Sequence, residues 1–203
     1  SAMRALRAAI DSGRIDGPRV RIAGAIISTI KEPDTVTCSG ADACRALVRA
    51  QIDSGVDWIK IYATCSGGKP CGQRSAPGLW LPDELDAIVA TAHTRQIPVA
   101  AHAHGAAGML AALRAGVDSI EHGSFADDEA RRLMKQRGTF LVPTLAVSDR
   151  IKRELADADP TMQPLMRDFI ASQPANTIAA WRAGVRIGAG SDSVGPASAI
   201  SST

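Results

Sequence analysis

Three of the four histidines in this 203-residue chain lie in one stretch, VAAHAHGAAGMLAALRAGVDSIEHG, from Val99 to Gly123. Imidazole titrates near neutrality and is the commonest side chain for holding a transition metal, so the cluster raises metal-assisted or acid–base chemistry. His102 and His104 end a short apolar run, Ile97 to Ala101, that reads as a strand buried on both faces; a spacing of two on a strand points both side chains one way. Gly105 to Arg114 is rich in Ala and Leu, lacks proline, and stops at Gly116, as helices do on a left-handed residue. A second strand, Val117 to Ile120, then delivers Glu121 and His122. Strands joined by a helical crossover run parallel, so the three histidines reach the same sheet edge, where α/β folds bind ligands. One histidine at a strand end is more often a hydrogen-bonded structural residue. Three at successive strand ends put the metal reading ahead.

The elements that must position them recur along the chain. A helix ending in glycine, with a strand just after it, appears as SGVDWIK (54 to 60), AGVDSIEH (115 to 122), RGTFLVP (137 to 143) and AGVRIGAGSD (183 to 192). With strands expected at 19 to 27 and 97 to 101, the count is six βα units. Helices are expected over Met3 to Ser12, Ala41 to Ser54, Pro82 to Arg95, Asp127 to Gln136, Ser148 to Ala156 and Met162 to Arg182. Lys31 to Ser39 and Cys65 to Gly78 read as loops, and His93, in the last turn of its helix, as structural. Six units fit an open sheet or six-eighths of a (β/α)8 barrel. The residues with chemistry decide for the barrel: Lys60, His102, His122 and Asp192 all fall near the C-terminal ends of different strands. Lys60 is itself notable, because an ammonium on a central strand is costly unless paired or neutralised.

Composition narrows the partners. Lys and Arg number 23 against 21 Asp and Glu, a net charge of +2, which implies neither nucleic acid nor a membrane surface. A hydrophobic fraction of 45% with only 3% aromatics describes a core of Ala, Val, Ile and Leu, the content of helix-covered parallel sheets. No apolar run approaches a membrane span and no signal-peptide pattern opens the chain, so the cytoplasm is the expected compartment. Cys38, Cys44, Cys65 and Cys71 lack structural-zinc spacing and read as scattered thiols, with Cys65 and Cys71 near each other in one loop.

The motifs DWIKIYATCSGG around Lys60, VAAHAHG around His102, AGVDSIEHG around His122 and GAGSDS around Asp192 resemble those of the amidohydrolase superfamily, in its imidazolonepropionase-like and Xaa-Pro dipeptidase (prolidase)-like branch. Their order and spacing, with 42, 20 and 70 residues between successive positions, make the combined signal strong, and it covers nearly the whole chain. The resemblance implies that Lys60 is carboxylated and bridges two divalent metals, most often zinc, with His102 and His122 as ligands. It implies that Asp192 is a metal ligand and takes a proton from the attacking water. His104 is implied in substrate or oxyanion contact, with a hydrogen bond to a ligand as its plainer role, and Tyr62 in substrate binding. The physics is compatible, since only a neutral amine reacts with CO2 and burial lowers a lysine pKa. The implied activity is hydrolysis of amide, peptide or cyclic-amide bonds in a small or dipeptide-like substrate.

One departure stands out. The branch's first-strand HxH pair is absent before Lys60, and Ser1-Ala2 ahead of Met3 reads as a cloning remnant. The chain is therefore expected to be a fragment, strands three to eight of a partial TIM barrel, itself possessing edges that favour homo-oligomers and lacking part of the metal site. Residues 193 to 203, small and polar, are expected to be poorly ordered. Two alternatives remain open at this point: a non-catalytic α/β binding protein, and a single-metal deaminase, against which Lys60 argues.

Overall fold

The computed structural model describes residues 2–32, 34–66, 71 and 73–192. In chain order the elements are α1 (Ala2–Asp11), β1 (Ile26–Ser28), β2 (Thr35–Thr37), α2 (Ala41–Asp53), β3 (Ile59–Tyr62), α3 (Pro82–His93), β4 (Val99–Ala103), α4 (Ala106–Ala115), β5 (Ser119–His122), α5 (Asp128–Arg137), β6 (Phe140–Val142), α6 (Leu145–Glu154), α7 (Gln163–Arg182) and β7 (Arg186–Ile187). The strands form one parallel sheet in the order β2-β1-β3-β4-β5-β6-β7. From β3 to β7 each strand lies beside its sequence neighbour, so the chain winds in one direction. That is barrel winding, whereas a doubly wound sheet reverses its strand order. The fold is the expected α/β partial barrel.

The glycine rhythm has a backbone cause. Gly55, Gly116, Gly138 and Gly184, the glycines of the four repeats, have φ of 83°, 97°, 70° and 85°. Each closes a helix in the left-handed region that other residues enter at a cost, and the chain then turns directly into the next strand. At the other end of α5, Asp127 accepts a hydrogen bond from the Ala130 N–H, 2.8 Å away, and caps the helix. Ile59, Ile61, Val99, Ala101 and Ile120 form the fully buried faces of the central strands, packed with Val48, Ile88, Met109 and Leu113 from the helices. The opposite faces of β3 and β4 are left for chemistry.

Three expectations change. The strand expected over 19 to 27 contracts to β1 and a single bridge, Ala23 to Trp58. Gln51 of α2 is the reason: its Nε2 donates to the Ala25 carbonyl at 2.8 Å, taking that acceptor out of the ladder, and its amide fills the space beside Gly24. Within the expected loop from 31 to 39, Thr35–Thr37 adds β2 as an edge strand, as β-branched residues favour. The cysteines are not free thiols. Cys38 pairs with Cys44, which the start of α2 holds near the strand end, and Cys65 pairs with Cys71, the Cα atoms 5.1 and 5.0 Å apart. The expectation for residues 193 to 203 lies outside the described residues.

Candidate metal centre

Register explains how the site forms. Lys60 pairs with Ala100 and Tyr62 with His102, so in a parallel ladder Lys60, Tyr62 and His102 share the face opposite Ile59 and Ile61. His104 follows two residues after His102 and returns to that face. His122 behaves differently, for its partner is Ala103, and alternation alone turns it away from His102. Its φ of 71°, followed by 57° at Gly123, rotates the chain end and brings the imidazole round. The ring centroids of His102 and His122 come to 4.5 Å, those of His102 and His104 to 4.6 Å, and those of His104 and His122 to 4.8 Å.

These three rings, each no more than 7% exposed, present nitrogens within 4.8 Å of one another. Their second nitrogens are engaged, and two of the partners fix the tautomer. The Cys65 carbonyl can only accept, so His102 Nε2, 3.3 Å away, carries the hydrogen and Nδ1 keeps its lone pair. Thr144 Oγ1 donates to the Pro143 carbonyl at 2.7 Å, so it accepts from His122 Nδ1 at 2.7 Å, and His122 Nε2 keeps its lone pair. Pro143 O also accepts from Gln173 Nε2 at 2.6 Å, which ties the relay to α7. His104 Nδ1 meets Ser124 Oγ at 2.9 Å, and a hydroxyl leaves both tautomers open. Oriented imidazoles with one lone pair facing inward are the donor set of a divalent metal site, and the residues fit such an ion.

Electrostatics agrees with that donor set. Burial, then the neighbouring His104 and Lys60, hold the His122 pKa down to about 2. Burial, then Lys60, hold His104 at about 4, and burial with His122, His104 and Lys60 pushes His102 well below its ordinary value. All three are neutral at pH 7, the state that binds a metal. Burial also lowers the Lys60 pKa, against the pull of Glu121 and Asp192. Tyr62 meets His102 at a tilt, ring centroids 4.8 Å apart, and burial raises its phenol despite a hydrogen bond with Ser66.

All six residues singled out from the sequence, Lys60, Tyr62, His102, His104, His122 and Asp192, line one cavity of about 330 Å³. Asp192 reaches it from the exposed loop after β7, with φ of 51°. The resemblance gave His104 a role apart from the other two histidines, and the geometry brings all three rings to one place, as their shared strand ends imply. Ser124 and Thr144 escaped notice. Their signal was position alone: a hydroxyl residue just beyond a strand end, beside a histidine. The wall that α6 and α7 contribute was also missed.

Comparison with known proteins places these features. The sequence profile of the amidohydrolase family matches residues 1–203. Ochratoxinase of Aspergillus niger is 41% identical over 110 residues, 53% of this chain and 22% of that protein. An uncharacterized protein of Mycobacterium bovis is 36% identical over 150 residues, 72% of this chain and 40% of its own length. Among solved structures, a Xaa-Pro dipeptidase with methionine bound in its active site superposes with a TM-score of 0.79 at 33% identity, covering 94% of this chain and 52% of its own. The A. niger ochratoxinase structure gives 0.82 at 28% identity, covering 93% and 49%. The chain thus spans about half the length of the solved structures it matches, and less of the curated relatives. With the profile match running from end to end and the histidine cluster on its strand ends, the chain belongs to the amidohydrolase family.

Proposed function

We propose that this chain supplies the greater part of the catalytic centre of a metal-dependent hydrolase that cleaves an amide or peptide bond in a small, dipeptide-like substrate. The observation that carries the reading is the fixed inward lone pair on His102 Nδ1 and on His122 Nε2, in a cavity shared with Lys60 and Asp192. His102, His122 and Lys60, the lysine as its carbamate, would hold zinc or a similar divalent ion, with Asp192 beside them. Such an ion supplies Lewis-acid polarisation of the scissile carbonyl and acidifies a water. Asp192 takes the proton of the attacking water and returns it to the departing nitrogen. His104, whose tautomer Ser124 leaves free, donates to the carbonyl oxygen as negative charge develops there. Tyr62 borders the cavity from β3 and contacts the substrate. The dipeptidase and the ochratoxinase among the similar structures support an amide substrate for this site.

Metal analysis of the full-length protein, with mass spectrometry for one CO2 added at Lys60, tests the reading alongside an amide-hydrolysis assay. Metal bound at His102 and His122 with metal-dependent turnover supports it; a protein that takes up no divalent ion sinks it. Association is part of the proposal, since β2 and β7 each present an unpaired side among the described strands. Sedimentation at micromolar concentration reads it directly. Among the described residues no helix is long and apolar enough to cross a membrane. The two disulfides favour an oxidising compartment, and counting free thiols before and after reductant tests whether they form.

A further inference from the structure

Beyond the apolar stripe that Leu165, Met166 and Phe169 turn towards the cavity, α7 changes character. Gln173 and Asn176, three residues apart and so on one helix face, carry amides there instead of the aliphatic side chains by which a helix normally docks. Gln173 is fully buried and both ends of its amide are used: Oε1 accepts from Ser148 Oγ of α6, and Nε2 donates to the Pro143 carbonyl at 2.6 Å. Asn176 does the same one turn further on, its Oδ1 accepting from Arg131 Nη1 of α5 at 3.0 Å and its Nδ2 donating to the Ser124 carbonyl at 2.6 Å. Neither amide has a choice of orientation, because a main-chain carbonyl can only accept and a guanidinium can only donate.

The two carbonyls they grip share one property. Each belongs to, or directly precedes, the residue whose hydroxyl meets a histidine of the metal centre: Thr144 with His122 Nδ1 at 2.7 Å, and Ser124 with His104 Nδ1 at 2.9 Å. Thr144 stands at the N-cap position of α6 without making a cap bond, and its φ of 51° is one that a β-branched residue leaves unless its surroundings hold it. Its hydroxyl proton goes to Pro143 O, the atom that Gln173 grips. We propose that Gln173 and Asn176 are positioning residues of the metal centre. Gln173 holds the Pro143–Thr144 peptide so that the Thr144 hydroxyl keeps His122 with its hydrogen on Nδ1, and Asn176 holds Ser124 against His104. The proposal rests on the metal-centre reading of the histidines. It makes α7 the common mount for two hydroxyls that come from different strand ends, and the same helix meets the His104 ring through Phe169, with centroids 5.4 Å apart. Docking alone does not call for this arrangement, since an aliphatic side chain would bury without the desolvation that each amide must recover by hydrogen bonding.

The test reads tautomer and metal affinity in the full-length protein. In the metal-free form at pH 7.5, side-chain nitrogen NMR of histidine-labelled protein should show His122 with its hydrogen on Nδ1. Gln173→Met, which keeps the length of the side chain and loses its donor, should mix the two tautomers of His122 and leave the His104 signals in place. Asn176→Leu should shift the His104 signals and leave His122 as it was. A helix merely undocked would disturb both histidines with either substitution, so that pattern, or no change in either, overturns the proposal. Zinc affinity, read by competition with a chromogenic chelator, should weaken about 3- to 10-fold in Gln173→Met, less than for a direct partner of a ligand, and no further when Gln173→Met is added to Thr144→Val. Additive losses overturn the route through Thr144. If Gln173→Met does not fold, Ser148→Ala frees the same amide to turn: mixed His122 tautomers there support the proposal, and a His122 spectrum identical to wild type overturns it. A protein that takes up no zinc in any form sinks the metal-centre reading, while the His122 tautomer in the metal-free protein still decides the role of Gln173.

Discussion

Acidifying the metal-free protein from pH 7.5 to pH 5 should destabilise it steeply, and the size of the effect follows from the triad. Ordinary imidazole titrates at 6.5, while folded His104 and His122 are held at about 4 and about 2, chiefly by burial, with His104 adding to the effect on His122 and Lys60 to both. At pH 5 both stay neutral in the folded state and are protonated in the unfolded one. The unfolded state therefore binds more protons, and stability falls as pH drops through 6.5 towards the folded values. Each group contributes about 1.5 pH units at 1.36 kcal/mol, so about 2 kcal/mol apiece and about 4 kcal/mol for the pair. Burial of His102 acts in the same direction. Against the 5 to 15 kcal/mol typical of a domain, this is a large fraction. Urea unfolding of the chelator-treated protein at pH 7.5, 6 and 5 measures it. A midpoint that does not move between pH 7.5 and 5 would refute the burial of three neutral imidazoles.

Further outcomes follow from the same geometry. Lys60→Ala should lower metal content and rate together, which elemental analysis and kcat measured side by side will show; full activity with full metal would rule Lys60 out as a ligand. His104→Ala should keep its metal while turnover slows by roughly two to three orders of magnitude, as loss of one oxyanion donor does elsewhere. If metal is lost instead, His104 belongs among the ligands. Thr144→Val removes the acceptor that holds His122 in its tautomer, and competition with a chromogenic chelator should show metal affinity weakened about 10- to 100-fold. Asp127→Ala should cost about 1 kcal/mol by uncapping α5, with no effect on metal uptake.

The parts of this fold visible in the sequence are those with a period or a backbone constraint. Gly55, Gly116, Gly138 and Gly184 marked helix ends because left-handed backbone selects glycine, and the apolar runs after them were strands because nothing else fits a buried segment that short. The convergence of Lys60, His102, His122 and Asp192 followed from strand ends in a repeating unit. What stayed hidden depended on contacts between distant segments. Gln51 shortens the first strand by bonding Ala25 across 26 positions, and no local pattern announces it. The disulfides were missed because a spacing of six residues says nothing until a helix start or a loop folds it. The α7 stripe was legible as a period, yet only the tertiary arrangement shows that it faces a cavity rather than a core.

The left-handed residues at the site bear on how such a protein would decay. His122, Thr144 and Asp192 have φ of 71°, 51° and 51°, at the end of β5 and in the segments that follow β6 and β7, and each such residue strains the backbone by on the order of 1 to 3 kcal/mol. Thr144, being β-branched, is the least suited to that region. Glycine would sit there without strain, so these positions hold against the drift of mutation only while the chemistry is under selection. In a lineage released from that selection, glycine or asparagine should accumulate at 122, 144 and 192 before the sheet or its helix caps change. A relative with this fold and glycine at those three places would be a barrel that has outlived its reaction.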